Sequence, residues 1–323
     1  MKRKITVLTL CAMLFALCYP ASAQQEGKVP RIGVVGPSRQ SLDLFRQGLR
    51  DLGYIDGNNV QIVYRNVYRN TNRMPELVAE LVRLKVDTLV VNAATVIRAA
   101  QRATKTIPIV MRINEDPVAI GIVDSLARPG GNLTGIVSLT RELSGKRLEP
   151  FKETIPWISQ VGIFWIRPTS LGQGRAFQRY EAAARAFHIE LQSIQMQRPH
   201  PDLEGAFEAA VKARVNGLIA VTHAVLNPHS KKIVNFAIRN RLPLMVERSN
   251  SVDDGGLISY NADEADSYRR VAVYVDKILK GAKPSDLPVE QPTKFEFVIN
   301  LKTAKVIGLT ISPNVLARAD RVI

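Results

Sequence analysis

Ile32-Gly33-Val34-Val35 and Val161-Gly162-Ile163-Phe164 are one short apolar pattern met twice in the same chain. Neither run has a polar interruption, which is how a strand covered on both faces of a parallel sheet reads. The segments downstream of the first run return, in order, downstream of the second. Leu42, Phe45, Leu49 and Leu52 recur at helical spacing and Gly53 stops that helix; Phe177, Tyr180, Ala184 and Phe187 form the matching stripe. Met74, Leu77, Val78 and Leu81 are answered by Leu203, Phe207 and Val211. Thr88-Leu89-Val90-Val91-Asn92 is answered by Gly217-Leu218-Ile219-Ala220-Val221, and Ile107-Pro108-Ile109-Val110 by Leu242-Pro243-Leu244-Met245-Val246. The exits agree as well, Thr134-Gly135-Ile136-Val137-Ser138 with Gly255-Gly256-Leu257-Ile258-Ser259. Strand and helix alternating in this way predict a parallel sheet with helices on both sides. The ordered repeat predicts an α/β fold of two similar doubly wound parallel-sheet lobes.

The segments outside the repeat predict how the lobes are joined. Leu148, Phe151 and Ile155 belong to a helix that opens the second half. Tyr268, Val271, Val275 and Ile278 form a long helix after the second sheet, capped by Asp263 and ended by Gly281. A Pro-rich stretch, Lys283-Pro284-Ser285-Asp286-Leu287-Pro288, then leads to a strand from Phe295 to Ile299 and a small helix between Asn300 and Gly308. A helix left over after two completed lobes packs back on the first, and the tail returns to the second. The chain then crosses three times, near 138, 260 and 290, with residues 29–138 plus 261–289 in the first lobe and 139–260 plus 290–323 in the second. Three crossovers make a hinge that bends without letting the lobes separate.

Residues 1–23 read as a signal peptide: Lys2, Arg3 and Lys4, an apolar run from Ile5 to Leu17, and Ala21-Ser22-Ala23 for cleavage after Ala23. The run is too short for a membrane anchor. Leu10 and Leu17, where a small residue should precede a lipid-modified cysteine, argue against a lipoprotein. Cleavage removes Cys11 and Cys18, so the mature chain has no disulfide, thiolate metal site or cysteine nucleophile. It also lowers the formal charge from +15 to +12. Export to the periplasm removes nucleic acid as a partner for this basic surface, and the cations are scattered rather than gathered in one arm.

Ligands of open parallel sheets bind beyond the carboxyl ends of the strands, against helix N-termini. That rule selects Gly36-Pro37-Ser38, Asn92 to Thr95 and Asn114-Glu115-Asp116 in the first half. In the second it selects Arg167 to Ser170, Thr222-His223 and Glu247-Arg248-Ser249. The candidate ligand contacts are Ser38, Asn92, Thr95, Glu115 and Asp116 from one lobe, and Thr169, Ser170, His223 and Glu247 from the other. Thr95 is expected to cap the helix through Ile97, whose dipole favours a carboxylate. Asp116 or Glu247 is expected to face an ammonium group. No Gly-x-Ser-x-Gly elbow, P-loop or His-Glu-x-x-His is present, and His188, His200, His223 and His229 are scattered. No enzyme activity, cofactor or metal site is expected.

The chain resembles the periplasmic substrate-binding proteins of ABC transporters with the type I two-lobe fold, and more narrowly the tryptophan-uptake-like branch. The stretches that carry the resemblance are Phe45 to Tyr54, Asp116-Pro117-Val118, Arg128 to Gly135, Leu279 to Pro288, Gln291 to Lys305, Gly308-Leu309-Thr310 and Leu316 to Asp320. The resemblance implies a monomer that captures a small polar solute, an amino acid or another carboxylate, in the interlobe cleft and delivers it to an ABC permease in the inner membrane. Its alternative is a ligand-sensing subunit for a membrane sensor kinase. The chain departs from the family pattern at Asn92-Ala93-Ala94 and Arg167-Pro168-Thr169, where ligand would bind.

Overall fold

The computed structural model describes residues 28–36, 38–66, 73–138, 143–167, 175–223 and 225–323. The first half contains β1 (Arg31–Gly36), α1 (Arg39–Asp51), β2 (Gln61–Asn66), α2 (Met74–Arg83), β3 (Thr88–Asn92), α3 (Ala94–Ala103), β4 (Ile109–Ile113) and β5 (Leu133–Val137). Its sheet is parallel throughout, in the order β2-β1-β3-β4-β5. The second half contains α4 (Ser144–Thr154), β6 (Gln160–Ile166), α5 (Arg175–Ala186), β7 (Glu190–Met196), α6 (Leu203–Lys212), β8 (Gly217–Ala220), α7 (Ser230–Arg239), β9 (Leu244–Val246), α8 (Ser249–Asp253) and β10 (Ile258–Ala262). After these come α9 (Glu264–Leu279), β11 (Phe295–Ile299), α10 (Leu301–Ile307), α11 (Pro313–Leu316) and β12 (Arg321–Val322). The second sheet runs β12-β11-β10-β9-β8-β6-β7. From β7 to β10 it repeats the first sheet strand for strand.

The repeated glycine in the opening strands has a packing reason. A Cβ on Gly33 would lie 2.9 Å from Leu89 Cδ2 and 3.2 Å from Val86; one on Gly162 would lie 3.0 Å from Leu218 Cδ2 and 3.4 Å from Val215. The same close approach, made by equivalent residues in and just before the neighbouring strand, leaves little room for a side chain at either position.

Each sheet is covered on both faces. In the first, Leu42, Phe45 and Leu49 of α1 and Val271 and Val275 of α9 bury one side of Val90, Val110 and Ile136. Val78 and Leu81 of α2 and Val96 and Ile97 of α3 bury the other. In the second, α4, α5 and α10 cover one face and α6 and α7 the other. Sequence periodicity anticipates these layers but misses β2 and β7, because both are edge strands with much of their surface in water. Two further differences are local. Val211 of α6 is 56% exposed, and Ala206 and Ala210 carry that stripe instead. β11 pairs antiparallel with β10, so the second sheet is mixed rather than wholly parallel.

The chain passes between the sheets after β5, between Ala262 and Glu264, and between Glu290 and β11. Glu290 lies on the first sheet's edge: Val137 N donates to its carbonyl at 2.9 Å, and its own N–H donates to Gly135 O at 3.0 Å. Arg270 of α9 pairs with its carboxylate. Among the described residues no helix is long and apolar enough to cross a membrane.

Candidate functional site

The carboxyl edge of the first sheet is a row of unlike side chains. Asn92 stands opposite Arg112, and Arg112 opposite Ile136. By alternation all three lie on the side covered by α9, above the apolar row of Val90 and Val110. Asn92 Nδ2 donates to Tyr268 Oη at 2.7 Å. The Arg112 guanidinium lies over the Tyr268 ring, 4.8 Å from its centre, and 4.0 Å from Glu264 Oε1 in the first turn of α9. Arg112 Nε is buried and has no hydrogen-bond partner among the described residues. The Ser138 hydroxyl, just past β5, is likewise buried and has no partner among the described residues.

Beside this row the other first-lobe candidates have local duties. Ser38 caps α1: its Oγ accepts from Ser41 N at 3.1 Å and donates to Ser41 Oγ at 3.0 Å. Thr95 does not cap α3. The capping position is Ala93, whose φ is 72°, and exposed Thr95 lies inside the first turn. Among the described residues Asp116 is not set against a cation. Its Oδ1 accepts from Val118 N (2.9 Å) and Ala119 N (3.2 Å) and so closes the turn behind β4. Glu115 is half-buried in the same loop.

In the second lobe Glu247 overturns the expectation of an ammonium-facing acid, because its partner is internal. Oε1 accepts from Arg147 Nη1 at 2.9 Å and from Tyr180 Oη at 2.9 Å, and Oε2 accepts from Thr222 N at 2.8 Å. Arg147 is wholly buried; it also donates to Tyr260 O at 2.9 Å and to Asn261 Oδ1 at 3.2 Å. Burial opposes the charge on Arg147, but Glu247 outweighs it and the guanidinium pKa is raised. Burial, reinforced by Glu247, pushes the Tyr180 hydroxyl up, so it remains a neutral donor. The network ties α4, the loop after β8, the end of β9 and the exit of β10 into one rigid block. His223 also serves its own loop: Nδ1 accepts from Val225 N at 3.1 Å, and its backbone N–H donates to Asn227 Oδ1 at 3.3 Å. A cavity of about 30 Å3 between Thr222, Asn227, Ser230, Glu247 and Ser251 has room for a water or two. Thr169 and Ser170 lie outside the described residues.

The two edges meet. Asn250 Nδ2 of α8 donates to Gln40 Oε1 of α1 at 3.1 Å, which brings the loop after β1 against the loop after β9. Sequence reasoning missed Gln40 and Asn250, which carry no signal, and Arg147, Tyr180 and Tyr268, which look like members of apolar stripes. It also missed Glu264, which reads as an ordinary first-turn acid. For Arg112 a signal existed: it is the one charge inside the apolar strand Ile109–Ile113.

Comparison with known proteins agrees with this architecture. The family model for ABC transporter substrate binding proteins matches residues 34–323. The tyrosine-binding protein of Clostridioides difficile is 26% identical over 281 residues, 83% of this chain and 78% of that protein. A conserved domain protein from Vibrio cholerae superposes with a TM-score of 0.79 at 26% identity, over 92% of this chain and 100% of that one. An ABC domain from Streptococcus pneumoniae in complex with L-Trp gives 0.77 at 25% identity, over 91% and 99%.

Proposed function

The chain belongs to the family of ABC transporter substrate-binding proteins, and we propose that it captures a free amino acid between its two lobes and delivers it to an inner-membrane ABC permease. The observation that carries this reading is the opposition of the two carboxyl edges, joined by three chain crossings and by the side-chain hydrogen bond that Asn250 donates to Gln40. Such edges are where open α/β sheets hold ligands, and a hinge between them is how a cleft closes. The relatives named for tyrosine and for bound L-Trp supply the solute class.

In this reading the mature protein begins at Gln24 and works in the periplasm as a monomer without enzymatic activity. The proposed lobes comprise residues 29–138 plus 263–290 and 139–262 plus 291–323. The second and third boundaries lie just beyond 260 and 289, because Asn261 and Ala262 of β10 pair with β11 and Glu290 bonds to β5. Ser38, Asn92, Thr95, Glu115 and Asp116 line one side of the cleft, and Thr169, Ser170 and His223 the other; Glu247 serves by holding the second edge rigid. Thermal-shift screening of the mature chain against amino acids, other carboxylates, sugars and purines tests the capture, since a ligand that binds only the native state raises the melting temperature. Small-angle scattering with the best ligand tests closure. A fall in radius of gyration at constant helix content is expected, and a tight ligand that leaves the scattering unchanged would overturn closure.

A further inference from the structure

Each carboxyl edge holds one largely buried arginine, and the two are held differently. Arg147 in the second lobe is saturated by Glu247, Asn261 and the Tyr260 carbonyl. Arg112 in the first is only 13% exposed at its side chain, yet its contact with Glu264 is 4.0 Å, at the limit of an ion pair, and its buried Nε has no acceptor among the described residues. A guanidinium nitrogen withdrawn from water without an acceptor is costly. Tyr268, held in turn by Asn92, pins the guanidinium plane from one side and leaves its edge for a planar anion. The unpartnered Ser138 hydroxyl belongs to the same sheet edge, one strand over. Glu264 is 31% exposed and sits next to the guanidinium without a close bond to it. A cation and an anion held side by side, each with hydrogen-bonding capacity left over, form the complement of a zwitterion.

Resting on the capture reading above, we propose that Arg112 receives the α-carboxylate and Glu264 the α-ammonium of the solute, so that the first lobe grips an amino acid by its common backbone. Carboxylate and guanidinium match in bidentate geometry, and Glu264 offers the ammonium an acceptor of opposite charge. Discrimination between side chains then falls to groups other than this pair.

The test begins with thermal-shift screening of the mature chain against the twenty standard L-amino acids, sugars and nucleosides. The amino acid giving the largest shift is then compared by calorimetry with its α-amide and its deaminated acid. We expect the amide to bind the wild type about 30-fold or more weakly, the loss expected when one partner of a buried charge pair is removed. In Arg112→Met, acid and amide should bind alike; in Glu264→Gln, the amino acid should weaken while the deaminated acid does not. Should Arg112→Met fail to fold, Arg112→Lys and the wild-type ligand series decide, because equal binding of acid and amide to the wild type overturns the assignment. So does an Arg112→Met protein that still prefers the acid as the wild type does. A shift from a sugar or nucleoside and from no amino acid removes the zwitterion site but leaves solute capture standing; no shift from anything removes both.

Discussion

The ion pair of Arg147 and Glu247 is buried so completely that its value lies in never being broken. An intact buried pair adds little over a well-packed apolar pair, because desolvation offsets the attraction, whereas removing one partner strands the other charge. Glu247→Ala should therefore destabilise the protein by about 3–5 kcal/mol, read from denaturant unfolding. The paired replacement Arg147→Met with Glu247→Leu should cost clearly less than the two single losses added together. Additive losses in that double-mutant cycle would mean the two groups act independently. Little of this was legible from sequence. Arg147 precedes Leu148 at the edge of an apolar stripe, Glu247 ends a strand, and 100 residues separate them. Only the fold makes them partners, and so Glu247 reads as ligand-facing when it is structural. Arg112 differs, because a lone charge in a buried strand is visible in the sequence itself.

At the scale of elements the repeat was legible because covered strands and amphipathic helices leave strong periods, and glycines such as Gly135 mark where a strand comes unusually close to its neighbour in the sheet. Gly135 has a φ of 142°, and a Cβ there would lie 2.0 Å from Met111 O, so that stretch tolerates no side chain. Edge strands leave weaker periods and were not seen. Helix α9, the element that returns to the first lobe, begins at a cap the sequence did reveal. Asp263 accepts from Asp266 N at 3.0 Å and pairs with Lys294 at 3.2 Å. Burial pushes its carboxyl up, but the Asp266 amide and Lys294 outweigh it and hold the pKa below the ordinary 3.8. A depressed folded pKa gives stability that is present above the unfolded value and is lost as pH falls through the folded one. Asp263→Ala should cost about 0.5–2 kcal/mol at neutral pH. Asp263→Asn keeps the cap without the titration, so the melting-temperature gap between wild type and Asn variant should close as pH drops below 3.8. A gap unchanged across that window would show that the charge contributes nothing.

At the scale of the whole molecule the two sheets have separate cores, and in the proposed capture small contacts between them weigh on closure. Each lobe buries its own sheet, while the side chains of Gln40 and Asn250 join α1 to α8 between the two carboxyl edges. One such bond, partly open to water, contributes about 0.5–1.5 kcal/mol. That is negligible against a lobe's stability but comparable with a gap of a few kcal/mol between the open and closed states that the proposed capture requires. A ligand that binds the closed form gains from every contact that already favours closure. Gln40→Ala or Asn250→Ala should thus leave the ligand-free melting temperature where it is, raise the ligand-free radius of gyration, and weaken solute binding about two- to tenfold. Because both residues form the same bond, the double variant should be no worse than either single one. Additive weakening would mean that each contacts something else, and an unchanged radius of gyration would mean that the bond does not report on closure. If the ligand-free melting temperature fell as well, the contact would belong to folding and not to the hinge.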